Sequence, residues 1–139
     1  MTHTASRYHD ISTGHRVHGH ENKCRHLHGH NYRIHFNCQA KNLDSVGRVI
    51  DFGEIKEKLC MWVENNWDHR FLVSRNDPWA KKLKEIDDSV VIVPFNPTAE
   101  NMAEYLVKEI GPVQLKGTGI VLVSVNIEET AKCHASFTK

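Results

Sequence analysis

The sequence predicts an α+β fold in which two amphipathic helices cover one side of a β-sheet. Two segments, 31–40 and 119–129, alternate apolar and polar residues as half-buried strands do. Two others, 52–63 and 98–110, repeat apolar residues at helical spacing. In chain order the elements read strand, strand, helix, short strand, helix, strand, strand. This order is typical of an α+β sheet with both helices on one face.

The first two strands are predicted to pair in antiparallel fashion. Segment 31–40 places its apolar residues on one face; these are Tyr32, Ile34, Phe36, Cys38 and Ala40. Residues 7–17 supply the partner strand. The connection over 18–27 is rich in histidine and long for a hairpin, and long loops often carry function.

The first helix begins behind Asp51, a suitable N-cap, and runs for about four turns. Its apolar stripe consists of Phe52, Ile55, Leu59, Trp62 and Val63. A charged segment at 81–88 follows, and then a short strand at 90–93 that Pro94 and Pro97 end.

The second helix begins at Thr98 as its N-cap, and we expect Gly111-Pro112 to end it. The strand at 119–129 is predicted to place alternate residues on one apolar face that ends in the carboxylate of Glu129. The segment 133–138 can add a fourth strand at the sheet edge.

Composition narrows the class of protein. A chain of 139 residues suits a single domain over 1–139, and its net charge of +1 shows no basic patch for nucleic acid. The sequence shows no signal peptide or membrane-spanning segment, so we expect a cytoplasmic protein without membrane association. The four cysteines are then expected to be reduced and to form no disulfides.

Histidine is the residue type that indicates where the chemistry lies. Nine of the eleven histidines precede residue 36, so we expect the functional site in this part of the chain. In His28-Gly29-His30 two imidazoles lie on the same side of a strand, roughly 6.6 Å apart at Cα, so both can reach one ion. His15, just before the loop, is the natural third ligand. Three neutral nitrogens leave a fourth position open, as catalytic zinc requires, and we predict a Zn²⁺ site here.

Two features of the loop have competing interpretations. His18 and His20 repeat the same spacing, but we interpret them as solvated loop residues. Cys24 has cationic neighbours that favour the thiolate, which could serve as a base or nucleophile. Alternatively, Cys24 is a fourth zinc ligand, which would close the site and leave it inert.

Three acidic positions further along the chain are candidates for a site. Asp68 could orient the ring of His69 and raise its basicity, although adjacent residues do this only with suitable geometry. Glu100 lies at the start of a helix, where a carboxylate also suits the helix dipole. Glu129 ends an apolar row, which is costly unless it meets a hydrogen-bond donor.

Taken together, a series of ordered segments resembles the 6-pyruvoyltetrahydropterin synthase superfamily over nearly the whole chain. The segments are 12–16, 24–32, 49–56, 67–72, 96–103 and 128–130. Three residues separate Cys24 from His28, which resembles the 6-carboxytetrahydropterin synthase branch of queuosine biosynthesis; the pyruvoyl branch typically has five.

This resemblance implies a T-fold, a four-stranded antiparallel sheet with two helices packed on one face. Subunits would join their sheets into a barrel, giving a homo-oligomer, a hexamer or a tetramer, with active sites between subunits. The implied substrate is 7,8-dihydroneopterin triphosphate. The implied products are 6-carboxy-5,6,7,8-tetrahydropterin, acetaldehyde and triphosphate, on the route to preQ0 and queuosine.

The resemblance also implies roles for individual residues. The zinc ligands would be His15, His28 and His30. The proton-transfer groups would be Cys24, Asp68 and His69, the last two from a neighbouring subunit. Glu129 would hold the pterin ring, with Thr98 and Glu100 as helpers. Two alternatives stay open: the same scaffold producing 6-pyruvoyltetrahydropterin, or a non-catalytic binding module stabilised by zinc.

Overall fold

The computed structural model describes residues 2–21 and 25–139, and their main feature is a curled six-stranded sheet. Its strands are β1 (Thr4–His15), β2 (His28–Ala40), β3 (Phe71–Ser74), β4 (Val91–Val93), β5 (Ile120–Glu128) and β6 (His134–Thr138). Their order across the sheet is β4-β3-β1-β2-β5-β6.

The prediction of a four-stranded antiparallel sheet is wrong, because the sheet is mixed. β1, β2, β5 and β6 do form an antiparallel series. β3 adds to the end of β1 in parallel, through Gly14 and His15, and β4 lies parallel to β3. The short strand predicted at 90–93 is confirmed as β4, whereas β3, with four residues, is too short to show the alternation that identified the longer strands.

Three helices accompany the sheet. Helix α1 comprises Phe52–Ile55, a π-helical turn Lys56–Cys60, and Met61–Asn66; α2 is Ala80–Ile86; α3 comprises Ala99–Tyr105, a π-helical turn Leu106–Ile110, and Gly111–Gln114. Both predicted N-caps are confirmed: Asp51 accepts a hydrogen bond from the Gly53 N–H, and Thr98 accepts one from the Asn101 N–H. None of the helices within the described ranges combines the length and the apolar character that a bilayer crossing requires.

Two helix predictions need correction. The charged segment at 81–88 overlaps α2 (Ala80–Ile86), a helix that the sequence does not predict. The second predicted helix does not end at Gly111-Pro112 but continues to Gln114. The π-helical turn Leu106–Ile110 lies directly before Gly111-Pro112. It widens the helical hydrogen-bond pattern at the point where the proline ring would otherwise clash with a backbone carbonyl of the preceding turn.

One apolar core lies between the sheet and the two long helices, as predicted. From β2 it includes Tyr32, Ile34, Phe36 and Cys38, and from the helices Ile55, Leu59, Val63, Met102 and Leu106. Helix α2 packs elsewhere, in a small cluster of Ala80, Val73 and Val90. The long helices therefore share one face of the sheet.

The apolar face predicted for 119–129 is interrupted. The pairing of β2 with β5 shifts register between Asn37 and Cys38, so Val123 is an extra residue on β5. The buried residues of β5 are consequently Leu122, Val125 and Ile127, whereas Val121 is exposed. Strict alternation fails here because a bulge moves the preceding side chains to the other face.

Candidate metal centre

The β1–β2 pairing brings the three predicted ligands together. His15, the last residue of β1, lies directly opposite His28, the first residue of β2, and His30 follows two positions along on the same face. Gly29, between His28 and His30, lies opposite Gly14, which precedes His15. A Cβ at Gly29 would lie 3.1 Å from the carbonyl oxygen of Thr13, so this close approach favours glycine.

Backbone carbonyls orient two of the rings. The Nδ1–H of His15 donates to the carbonyl of Pro97 at 2.7 Å, and the Nδ1–H of His28 donates to the carbonyl of His26 at 2.8 Å. A carbonyl only accepts, so the proton of each neutral ring lies on Nδ1. Each Nε2 therefore presents a lone pair.

The Nε2 atoms face a common point. Those of His15 and His28 are 3.0 Å apart, and the ligand nitrogens of His15, His28 and His30 all lie within 4.8 Å of one another. Tetrahedral zinc with bonds of about 2.0–2.1 Å separates its nitrogens by about 3.3 Å. His30 Nε2 is buried without a hydrogen-bond partner among the described residues, which is costly unless a cation binds it. These residues fit a metal ion.

Burial favours the neutral form of His15 and His30, which is the form that coordinates metal. His15 is fully buried, and this burial lowers its pKa to about 4 against the opposing hydrogen bond to Pro97. Burial also lowers the pKa of His30, although the nearby Glu129 carboxylate acts in the opposite direction. The rings of His15 and His30 therefore need not lose a proton before they bind an ion near neutral pH.

Glu129 lies beside this cluster. Its Oε1 is 3.4 Å from Nε2 of His30 and 3.6 Å from Nε2 of His15. These separations match those between neighbouring ligands of a tetrahedral zinc ion. Glu129 could therefore supply a fourth donor to a metal ion, a role that the sequence did not suggest for it. The predicted contact of Glu129 with a ligand ring stays a prediction.

Asp68 and His69 do have the geometry that their adjacency alone could not guarantee. Oδ2 of Asp68 accepts a hydrogen bond from Nδ1 of His69 at 2.8 Å, and Oδ1 accepts one from the Ser12 N–H at 2.8 Å. Burial alone would raise the pKa of Asp68, but the hydrogen bonds from Ser12 and His69 act in the opposite direction, and its pKa lies below the usual range. Asp68 is thus an ionised carboxylate that orients the imidazole.

The backbone of His69 is unusual. Its φ of 58° makes it the one non-glycine residue in the described ranges with a left-handed backbone. Its N–H donates to the Ser12 carbonyl at 2.7 Å, which holds this conformation, while the ring is 81 % exposed. Such a conformation costs on the order of 1–3 kcal/mol and is commonly kept where function requires it.

His30 and His69 line one cleft of about 350 Å³, together with Asn31 and Arg70. His69 also lines a neighbouring cleft of about 520 Å³ that contains Arg33 and Thr130. Neither His15 nor His28 lines these clefts, so the expectation that Asp68 and His69 serve the metal site of a neighbouring subunit stays a prediction.

For Thr98 and Glu100, the structure shows a place in the fold but, among the described residues, no hydrogen bond to the metal cluster. Thr98 caps α3, and Glu100 is exposed in its first turn. The carbonyl of Pro97, which precedes Thr98, accepts the hydrogen bond from His15. The start of α3 therefore lies near the metal cluster. Cys24 lies outside the described residues.

Sequence reasoning missed the two backbone carbonyls that orient His15 and His28. No sequence signal could have identified them, because a carbonyl has no residue signature and Pro97 is 82 positions from His15. It also missed Arg70, which lines the smaller cleft together with His69. That residue could have been found from its position next to the predicted pair.

The chain is similar to known proteins along nearly its whole length. Residues 4–139 match the sequence profile of a family described as 6-pyruvoyl tetrahydropterin synthase. The chain is 36% identical over 126 residues to the 6-carboxy-5,6,7,8-tetrahydropterin synthase of Rickettsia bellii, covering 89% of this chain and 91% of that protein.

Solved structures share the fold. A protein of Wolinella succinogenes described as uncharacterized superposes with a TM-score of 0.85 at 24% identity, covering 100% of this chain and 99% of that one. The 6-pyruvoyl tetrahydropterin synthase of Caenorhabditis elegans gives a TM-score of 0.69 at 24% identity, with coverage of 100% and 96%. At these identities the likeness shows the fold alone.

Proposed function

The chain belongs to the 6-pyruvoyl tetrahydropterin synthase family, and from this premise we propose that it is a zinc-dependent carbon–carbon lyase of the 6-carboxytetrahydropterin synthase type. It would convert 7,8-dihydroneopterin triphosphate and water to 6-carboxy-5,6,7,8-tetrahydropterin, acetaldehyde and triphosphate, for preQ0 and queuosine synthesis. The name of the Rickettsia relative and the three-residue spacing between Cys24 and His28 support this branch.

The observation that carries the proposal is the convergence of three imidazoles, since the ligand nitrogens of His15, His28 and His30 all lie within 4.8 Å of one another. Bound zinc would act as a Lewis acid on oxygens of the substrate side chain. The carbonyls of Pro97 and His26 hold two of the rings in the coordinating tautomer before any ion arrives.

Proton transfer falls to the protein side chains. His69, oriented by Asp68 and open to solvent, can take a proton from the substrate side chain or return one at Nε2. The thiolate of Cys24 would exchange protons at the substrate carbons from the other side. Two groups of this kind are needed because the reaction removes and adds protons at different carbons.

Recognition of the pterin ring is proposed for Glu129, Thr98 and Glu100. The carboxylates would accept hydrogen bonds from the amino-pyrimidine edge. Since Glu129 also lies within 3.6 Å of two metal-cluster nitrogens, it could contact the ion before substrate binds and the ring afterwards. Glu100 is exposed and free of that constraint.

The test is product analysis with zinc-loaded protein and 7,8-dihydroneopterin triphosphate. Mass spectrometry should find acetaldehyde and 6-carboxytetrahydropterin, and H28A should form neither. 6-Pyruvoyltetrahydropterin with no acetaldehyde would instead assign the pyruvoyl reaction. Zinc-loaded protein that forms no product, with Cys24 bonded to the metal, would support the binding module and refute the enzyme.

We further propose a homo-oligomer in which the active site combines residues of two subunits. H28A and H69N would each inactivate one half of such a site. Mixed oligomers of the two variants should then recover part of the wild-type turnover. If each site uses one chain only, mixtures will stay inactive.

A further inference from the structure

A buried ion pair next to the metal cluster has no part in the chemistry proposed above. Arg16 follows His15 directly and is 8% exposed. Its Nη1 donates to Oδ1 of Asp77, whose side chain is fully buried. The guanidinium carbon also lies 3.6 Å from the ring centroid of Trp79. The Arg16 guanidinium is thus held on two sides by the segment between β3 and α2.

The third contact of Arg16 reaches the histidine-rich connection. Its Nε–H donates to the carbonyl of Arg25 at 2.8 Å. The carbonyl of the next residue, His26, accepts the Nδ1–H of His28 at 2.8 Å. Arg16 therefore fixes one peptide carbonyl, and the following one orients a metal ligand.

These contacts require arginine in particular. Its planar group can donate Nη1 to a carboxylate, donate Nε to a carbonyl and stack on an aromatic ring at the same time. A lysine ammonium can keep the charge but cannot keep this geometry. Fold stability alone does not explain a buried ion pair, because replacing such a pair with well-packed apolar residues often leaves the free energy of unfolding unchanged or higher.

We propose that Arg16 and Asp77 are positioning residues for the metal ligand His28. Asp77 and Trp79 hold the guanidinium, the guanidinium holds the Arg25 carbonyl, and the adjacent His26 carbonyl keeps the His28 ring in its coordinating tautomer. This inference rests on the metal-binding part of the proposed function. Residues that orient a metal ligand in this way typically change affinity 10- to 100-fold when they are replaced.

The experiment compares zinc affinity in three variants by competition with a chromogenic chelator. R16K keeps the charge beside Asp77 but loses the fixed Nε–H donor. R16M/D77N removes both charges, while the new amide oxygen can still accept the Trp79 N–H that Oδ1 accepts at 2.8 Å. R48K is the matched control, because Arg48 pairs with Asp44 and Asp51 in exposed bridges.

We expect R16K and R16M/D77N to bind zinc about 10- to 100-fold more weakly than wild type, and R48K to bind it within twofold. Two spectroscopic signatures separate positioning from general destabilisation. The visible absorption bands of the cobalt-substituted protein should shift in R16K. The slowly exchanging Nδ1–H resonance of His28, assigned by its loss in H28A, should disappear in the zinc-loaded variant.

A folded R16K that binds zinc within threefold of wild type, with unchanged cobalt bands, would overturn the inference. R16K decides the question by itself if the double variant fails to fold. No readout depends on turnover. Wild-type protein that binds zinc but forms no product would therefore refute only the proposed reaction, whereas wild-type protein that binds no zinc would refute both proposals.

Discussion

Replacing His30 with glutamine should remove one donor of the metal cluster while leaving the fold intact. His30 is the suitable position because its side chain is 20% exposed, whereas His15 is fully buried and its truncation would also open a cavity. Structural zinc sites bind with about 10–16 kcal/mol from four ligands, or about 3 kcal/mol for each ligand. H30Q should therefore weaken zinc binding by about two orders of magnitude.

Thermal and chemical unfolding with and without zinc measure this loss. At a zinc concentration of about 100 times the wild-type Kd, zinc should add about 2.7 kcal/mol to the free energy of unfolding. A variant with a Kd 100-fold higher should gain only about 0.4 kcal/mol under the same conditions. Direct chelator competition then checks the ratio of the two dissociation constants.

The matched control is H18Q, which changes an exposed histidine of the loop in the same way. It should keep the wild-type zinc affinity. The reasoning fails if H30Q binds zinc within threefold of wild type, because the buried Nε2 of His30, which has no hydrogen-bond partner within the described residues, would then have no role in holding the ion.

Three further predictions follow from individual contacts. C24A should retain zinc and lose product formation in the mass-spectrometric assay; loss of zinc would instead assign Cys24 as a ligand. Hydrogen bonds outweigh burial and hold the pKa of Asp68 below its usual range, so Asp68 stabilises the fold above about pH 4, and this stabilisation is lost as the pH falls through the folded-state pKa. D68N should accordingly lower the free energy of unfolding at pH 7, and urea titrations should show the difference shrinking towards pH 2; a difference that grows would refute the sign. G111A gains about 1 kcal/mol of helix propensity, but its Cβ would lie 2.9 Å from Cβ of Leu122. Overpacking costs about 1–3 kcal/mol, so urea unfolding should show a net loss of about 1 kcal/mol, and a gain would contradict the close contact.

The long antiparallel strands and both long helices could be predicted because their signals are local. In β2, five alternate apolar residues specify a buried face, and Asp51 and Thr98 cap the helices they precede. Elements β3 and α2 could not be predicted in the same way. Phe71–Ser74 contains only three apolar residues followed by a serine, and its pairing with β1 makes it a strand.

For the site, the sequence could identify donors but not their arrangement. The two-residue period of a strand placed His28 and His30 on one face. It could not indicate that Glu129 would lie 3.4 Å from His30, because that contact depends on how β5 and the turn after it pack against β2. Nor could it establish that Asp68 would receive the N–H of Ser12.

By itself, then, the sequence determined the chemical groups of this protein and the faces on which its strands and helices carry them. The tertiary structure alone decided which ring nitrogen of His15 and of His28 is free to bind an ion. Pro97 fixes the tautomer of His15 from the start of a helix 82 residues away, and the His26 carbonyl fixes that of His28. Periodicity reflects interactions a few residues apart, whereas these contacts exist only after α3 packs against the sheet and the connection between β1 and β2 is held in place.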